Sequence, residues 1–260
     1  MAKKILVVDN HPVMLRMLAN LLIRHGHEVR TAEDGLGALD VLKSYVPDII
    51  FVDLVMPNIS GEKLCRIIRN MPHLQKVFLV IVSAVAVEEN LDFVALGADA
   101  CIAKGGAESM ARHVSRVIEM ASLIGGPQEE PPEILGREEV ATRQISRELL
   151  SSRRHLEVIL DNIVEGILEV GRDRKVIFVN PAAVRLIGVP EEELLGADLA
   201  SVAGGVFMPW VGGGDGALSE SLARREVAVS LNRRQVVCSI LPVELPSGGS
   251  TTIVIIREQS

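Results

Sequence analysis

Cysteine is scarce, long apolar runs are missing and positive charge is in deficit, so several classes of protein drop out before any motif is read. The three cysteines, Cys65, Cys101 and Cys238, are odd in number, scattered and never in C-x-x-C spacing. That pattern predicts neither a disulfide framework nor a zinc site, and it fits a reducing cytoplasm. The apolar stretch from Val77 to Val87 is too short to span a bilayer and is broken by Ser83. Lys3-Lys4 followed by Ile-Leu-Val-Val imitates the start of a signal peptide, but Asp9 interrupts the run too early. A soluble protein without a membrane partner is expected. A formal net charge of -7 disfavours an electrostatic grip on nucleic acid. Helix-turn-helix, zinc-finger and basic-region signatures are missing too, and Arg153-Arg154, Arg224-Arg225 and Arg233-Arg234 read as solvated faces, so no nucleic-acid partner is expected.

What is present suffices for two cores. The chain has 260 residues, of which 48% are hydrophobic and 23% charged, a globular composition. In the first half, short apolar runs alternate with helical periodicity. Lys4 to Asp9, Glu28 to Thr31, Asp48 to Asp53, Val77 to Val82 and Ala100 to Ala103 are predicted strands. Met14, Met17, Leu18, Leu21 and Leu22 recur at helical spacing, as do Leu64, Ile67 and Ile68, and Val114, Val117 and Ile118. Ile-Leu-Val-Val and Ile-Ile-Phe-Val do not alternate, which predicts strands buried on both faces, as in a five-stranded, doubly wound parallel sheet.

Gly125-Gly126-Pro127 and the acidic, proline-containing stretch to Pro132 predict a linker. The expected organisation is one domain over 1–122, a linker over 123–132, a connecting helix over 133–162 and a second domain over 163–260. In that second domain Gly166 to Val170 and Lys175 to Val179 are predicted to form a hairpin around Gly171-Arg172-Asp173. Pro181 to Ile187 predicts a helix stopped at Gly188, and Glu191-Glu192-Glu193 begins another. After a glycine-rich region, Gly204 to Gly216, three strands are expected at Glu226 to Leu231, Gln235 to Glu244 and Thr251 to Arg257. This order predicts an α+β domain, an antiparallel sheet with helices on one face.

In a doubly wound sheet, function collects beyond the carboxyl ends of the strands. Asp9, Asp53, Ser83 and Lys104 all fall at such ends. One of them could be a turn former or a cap, but convergence on one edge points to phosphoryl chemistry. A carboxylate can become an acyl phosphate. The transferring group carries charge on its equatorial oxygens, which a cation and fixed donors must neutralise. Asp53 is the candidate nucleophile, with Asp9 beside it for a Mg²⁺ ion, which favours carboxylates and water. Lys104 supplies a mobile point charge and Ser83 a hydroxyl donor.

V-V-D-N ending at Asn10, D-L-V-M-P-N-I-S-G from Asp53 to Gly61, Ser83-Ala84, and G-A-D-A-C-I-A-K from Gly97 to Lys104 resemble the response-regulator receiver family over about Lys3 to Ser122. The resemblance implies a flavodoxin-like fold, Mg²⁺-dependent phosphotransfer from a histidine kinase, and a metal ligand in the Val55 backbone carbonyl. The sequence departs from the family at three places. Asn10 stands where a second acid is usual, which implies weaker Mg²⁺ binding; Cys101 replaces the aromatic switch residue; and Gly105 replaces the proline after the lysine.

H-L-E-V-I-L-D-N-I-V-E-G-I from His155 to Ile167, V-I-F-V-N-P-A-A from Val176 to Ala183 and E-E-E-L-L-G from Glu191 to Gly196 look like the first half of a PAS domain. Ile255-Ile256-Arg257-Glu258 is similar to its close, so the resemblance covers most of Ile159 to Ser260. Such domains hold small ligands. All six histidines precede the core of this one, and the photoreactive cysteine string of flavin-binding light sensors is missing. No haem or flavin is expected, and Cys238 reads as a small core residue. His155 is not followed by nucleotide-binding glycine motifs, so a kinase is not expected, nor any other enzyme. Leu135, Glu138, Thr142, Ile145, Leu149, Ser152, Leu156, Ile159 and Ile163 lie on one heptad seam. It is open to two readings, a homodimeric coiled coil or a helix packed on its own PAS sheet. The expected function is a two-component adaptor that accepts a phosphoryl group on Asp53 and relays its state to the PAS-like domain. The alternative is a phosphorylation-independent scaffold or ligand-binding module.

Overall fold

A computed structural model describes residues 2–84, 93–123, 133–136, 155–202, 225–245 and 249–259. The chain divides into two compact units, Met1–Arg153 and Arg154–Ser260. The first unit is built on parallel strands β1 (Lys4–Val8), β2 (Glu28–Ala32), β3 (Ile49–Val52), β4 (Phe78–Ser83), β5 (Ala100–Ala103) and β6 (Glu133–Leu135). Their order is β2-β1-β3-β4-β5-β6. β1, β3, β4 and β5 are buried almost throughout, as their unbroken apolar runs require. Alternate residues face opposite sides: Ile5, Val7, Phe51, Val80 and Ile102 meet Leu18 and Leu22 of α1 (Pro12–Arg24) and Val114 and Val117 of α4 (Ala107–Leu123) in one cluster. α2 (Gly35–Leu42) packs on β1 and β2, and α3 (Gly61–Asn70) buries Leu64, Cys65, Ile67 and Ile68.

The sheet has six strands where five were expected, and the connecting helix expected over 133–162 does not begin at its predicted start. β5 would otherwise end the sheet with an open row of N–H and C=O groups, a template for a further strand. Ile134 pairs with Cys101 and Leu135 with Ile102, and Leu135 enters the core instead of a helical seam. Gly136, at φ +81°, then takes the chain out of the strand. Helix α5 covers residues 155–162. The linker, apart from Leu123, and the seam positions Glu138, Thr142, Ile145, Leu149 and Ser152 lie outside the described residues.

At the edge where the strands begin, Arg69 at the end of α3 donates from Nε to the Gly97 carbonyl at 2.8 Å and from Nη1 to those of Gln75 and Val77. Its Nη2 lies 2.7 Å from the buried Asp99 carboxylate, which also accepts the Leu79 N–H at 2.7 Å. This fork ties α3 to the starts of β4 and β5. Tyr45 is buried with the Arg30 guanidinium 4.3 Å above its ring, and its hydroxyl donates to the Glu28 carbonyl.

The second unit is the expected antiparallel sheet, from β7 (Gly166–Val170), β8 (Val176–Val179), β9 (Arg225–Leu231), β10 (Arg234–Leu245) and β11 (Gly249–Glu258), in the order β8-β7-β11-β10-β9. β9 and β10 are joined by Asn232 and Arg233, both at positive φ, the geometry of a tight two-residue hairpin turn. Asn180 caps α6 (Pro181–Ile187), which packs on β7, and Gly188 ends it in the left-handed region. α7 (Glu191–Leu194) follows. Asn180 has all its side-chain hydrogen-bonding capacity used: Oδ1 accepts from Ile167 and Ala183, and Nδ2 donates to the carbonyls of Leu160 and Glu165. It thereby joins α5, β7 and α6. The glycine-rich stretch lies outside the described residues.

Asp99→Ala leaves the Arg69 guanidinium and the Leu79 N–H without their buried acceptor, so it should destabilise the first unit by about 3 kcal/mol. Native-state hydrogen exchange of the β1 and β3 amides measures this; a change below about 1 kcal/mol would show that the fork does not hold the sheet together.

Candidate phosphoacceptor site

The site grows from the ends of three strands. β1 places Asp9 one residue beyond Val8, β3 places Asp53 one beyond Val52, and the parallel register sets these strands side by side. The Asp53 N–H donates to the Val8 carbonyl at 2.9 Å, which continues the ladder to the last residue before the site. β5 delivers Lys104, whose own N–H donates to the carbonyl of Ser83 at the end of β4. The lysine Nζ then reaches across to Asp9 Oδ2 at 2.8 Å and Asp53 Oδ2 at 2.9 Å. Asp9, Asp53 and Ser83 are buried. The structure thus brings Asp9, Asp53 and Lys104 into direct contact and sets Ser83 beside them, whereas Asn10 is exposed in the loop before α1. Val55 is exposed in the β3–α3 loop, and its backbone N–H hydrogen-bonds the Asp53 carboxylate. Cys101 is buried in the middle of β5, where burial pushes its thiol up to about 12 and leaves it unreactive.

Electrostatics pull the nucleophile candidate in two directions. Burial raises the Asp53 carboxyl above its ordinary value and outweighs the Lys104 ammonium, which lowers it by charge and hydrogen bonding; Asp9 raises it further and the Val55 N–H lowers it. Folding therefore favours the protonated form. The stability from this group is complete below the unfolded value near 3.8 and is lost as pH rises through the elevated folded value.

The donor set fits a hard divalent cation. Asp9 Oδ1 accepts the His11 N–H at 2.8 Å, whereas the buried Asp9 Oδ2 is met, among the described residues, by the Lys104 ammonium alone at 2.8 Å. Asp9, Asp53 and the Val55 carbonyl are the oxygen ligands that would hold Mg²⁺. No group of three or more His, Cys, Asp or Glu side chains is assembled for a metal among the described residues.

Other residues shape the loop that carries Val55, and the sequence reading did not find them. Asp34 caps α2 through Gly37 and accepts from Nδ2 of Asn58, itself at φ 61°, so the β3–α3 loop is pinned to a neighbouring helix start. The signal available was the Asp34-Gly35 pair before an apolar helical run, a helix N-cap pattern. Gly61 is obligatory, because a Cβ there would collide with the Asp53 carbonyl oxygen.

Residues 5–114 match the family of response regulator receiver domains, and residues 154–221 match a PAS domain family. The chain therefore carries a response regulator receiver domain followed by a PAS domain. Its receiver half is 40% identical over 100 residues to the sensor histidine kinase RcsC of Salmonella typhimurium, covering 38% of this chain and 10% of that protein. It is 37% identical over 102 residues to the alkaline phosphatase synthesis transcriptional regulatory protein PhoP of Bacillus subtilis, covering 38% of this chain and 41% of that one. The chain thus spans about a tenth and two fifths of these relatives. Among solved structures, the chemotaxis response regulator CheY4 of Vibrio cholerae aligns at 25% identity and a TM-score of 0.42, over 45% of this chain and 99% of its own. Among the described residues, no helix is long and apolar enough to cross a membrane.

Lys104→Met removes the strongest influence that lowers the Asp53 carboxyl, so that group should titrate at higher pH than in the wild type. Carboxyl-carbon NMR of the metal-free protein follows it directly, and an unchanged or lower midpoint would mean that the ion pair does not set the charge of the site.

Proposed function

We propose that this protein is a two-component signalling adaptor, phosphorylated on Asp53 by a histidine kinase and acting through its PAS domain rather than through an enzymatic output. The observation that carries the reading is the Lys104 ammonium held within 3 Å of both Asp9 and Asp53. An Asp53 carboxylate oxygen attacks phosphorus of a phosphohistidine or a small acyl phosphate. The new O–P bond forms as the bond to the donor's nitrogen or oxygen breaks, and the leaving group departs with the electron pair. Lys104 and the Ser83 hydroxyl offer donors to the equatorial oxygens, and Lys104 exchanges carboxylate contacts for phosphoryl ones. Asp9, Asp53 and the Val55 carbonyl would hold Mg²⁺, which would supply charge neutralisation of the transferring group when bound. Asn10 would offer an amide oxygen in place of a charge, which would weaken the hold on the cation.

Incubation with acetyl phosphate and Mg²⁺ should add one phosphoryl group to the intact protein, seen by mass spectrometry, and Asp53→Asn should abolish it. Labelling of the variant to the wild-type extent would move the acceptor elsewhere. A wild type that takes no label would favour the phosphorylation-independent scaffold.

The PAS domain is read as an interaction or ligand module without haem or flavin. Leu168, Val170, Val176, Val254 and Ile256 fill its interior, which suits an uncoloured small molecule or closely packed side chains. Homodimerisation through the helix that leads into it is part of the same proposal. Leu156 and Ile159, on the heptad seam, are 58% and 45% exposed, which leaves apolar surface on that face and supports this reading. Leu156→Glu places a charge on that seam and should shift a dimer towards monomer by at least tenfold in dissociation constant, or about 1.4 kcal/mol. Sedimentation of wild type and variant decides it; a monomeric wild type would remove the seam from the mechanism.

A further inference from the structure

The last described strand of the receiver leaves the sheet at an edge where the chain has chemistry to report. β6 runs parallel to β5 at the end of the sheet, so Gly136 stands at the edge where β1, β3, β4 and β5 finish, the edge that holds Asp9, Asp53 and Lys104. In sequence, the chain from there leads to the second unit. Without β6 the exit would be the end of α4, which returns to the opposite edge.

Gly136 is closely fitted. A Cβ at its position would lie 3.5 Å from the Ala103 Cβ and 2.8 Å from Cε1 of His113 on α4. Ala103 directly precedes Lys104, so one peptide unit separates the lysine of the acid cluster from the residue that Gly136 leans on. Cys101, in the middle of β5, pairs with Ile81 on one side and Ile134 on the other.

We infer that β6 is the output element of the receiver: phosphorylation of Asp53 loosens β6 from β5 and so changes the start of the chain leading to the PAS domain. The inference rests on the phosphoacceptor reading above. Its direction follows from the geometry. Lys104 reaches away from β6, across β4, to carboxylates at the ends of β3 and β1. A phosphoryl group on Asp53 occupies the space where the ammonium now meets Asp53 Oδ2 and offers new acceptor oxygens, so Lys104 and the end of β5 must re-seat. Ala103 then shifts against Gly136, whose close fit leaves no room to follow. β6 is three residues long and, among the described residues, paired on one side alone, so it is the part of the sheet most easily released.

Hydrogen–deuterium exchange of the full chain in Mg²⁺, with and without beryllofluoride as the tetrahedral stand-in for a phosphoryl group, tests this. Exchange over residues 133–136 should accelerate about fivefold or more, the lower end for coupled sites, in the wild type and not in Asp53→Asn. Linkage then requires that a variant with β6 already displaced bind beryllofluoride more tightly by the same factor. Gly136→Ala achieves this by forcing a Cβ against His113, and Leu135→Ala by trimming the core contact; unchanged exchange in β1 and β3 confirms that the rest of the sheet is intact. A response at residues 104–106 with none at 133–136 overturns the inference and leaves the phosphoacceptor reading standing. So does a displaced β6 with unaltered beryllofluoride affinity. If beryllofluoride binds and neither segment responds, the inference alone fails; if beryllofluoride does not bind, the phosphoacceptor reading fails and the inference fails with it.

Discussion

Two carboxylates buried side by side need a cation, and in this protein the first to supply it is Lys104. The short contacts from its ammonium to Asp9 and Asp53 fix which strands must end together and how far β5 must reach. Much of the receiver serves that requirement. The strands that carry the site, β1, β3, β4 and β5, are buried almost throughout, and the β3–α3 loop is pinned through Asn58 to Asp34. Gly61 lets α3 start directly against the Asp53 backbone. Charge in the site is finely opposed, because burial and the neighbouring Asp9 raise the Asp53 carboxyl above its ordinary value while the Lys104 ammonium and the Val55 N–H lower it.

The PAS unit is organised around a different kind of node. Asn180 is uncharged and fully buried, and its amide is saturated by four backbone groups from three segments. A buried amide with every donor and acceptor engaged specifies one arrangement, since displacement of any segment leaves a polar group unpaired. The end of α5 is therefore not free to shift without disturbing the entry to β7 and the start of α6. A displacement of this helix would be felt at the sheet through the same hydrogen bonds.

The parallel sheet and most of its acid cluster were legible because they rest on local pattern. Unalternating apolar runs mark buried strands, and Asp9, Asp53, Ser83 and Lys104 follow such runs directly. The PAS hairpins were legible for the same reason: alternation and turn residues bracket each strand. β6 was not, because Glu133-Ile134-Leu135 is too short to show a period. What decides its state is the open edge of β5, some thirty residues earlier in the chain. The Asp34–Asn58 contact was equally hidden, being a tertiary pairing of two polar residues that each read locally as turn formers. Leu135 was assigned to a helical seam on spacing alone and is a core residue of the receiver instead.

The placement of Tyr45 has a practical consequence. It is the single tyrosine of the chain, and Trp210, the single tryptophan, lies in the sequence of the other unit. Arg30 stacks over the phenol ring, whose hydroxyl is engaged by the Glu28 carbonyl, so its ultraviolet signal is tied to the β1–β2 border of the receiver. Nature has in effect given each half its own chromophore, and the melting of one half can be followed optically without a label or a dissected chain.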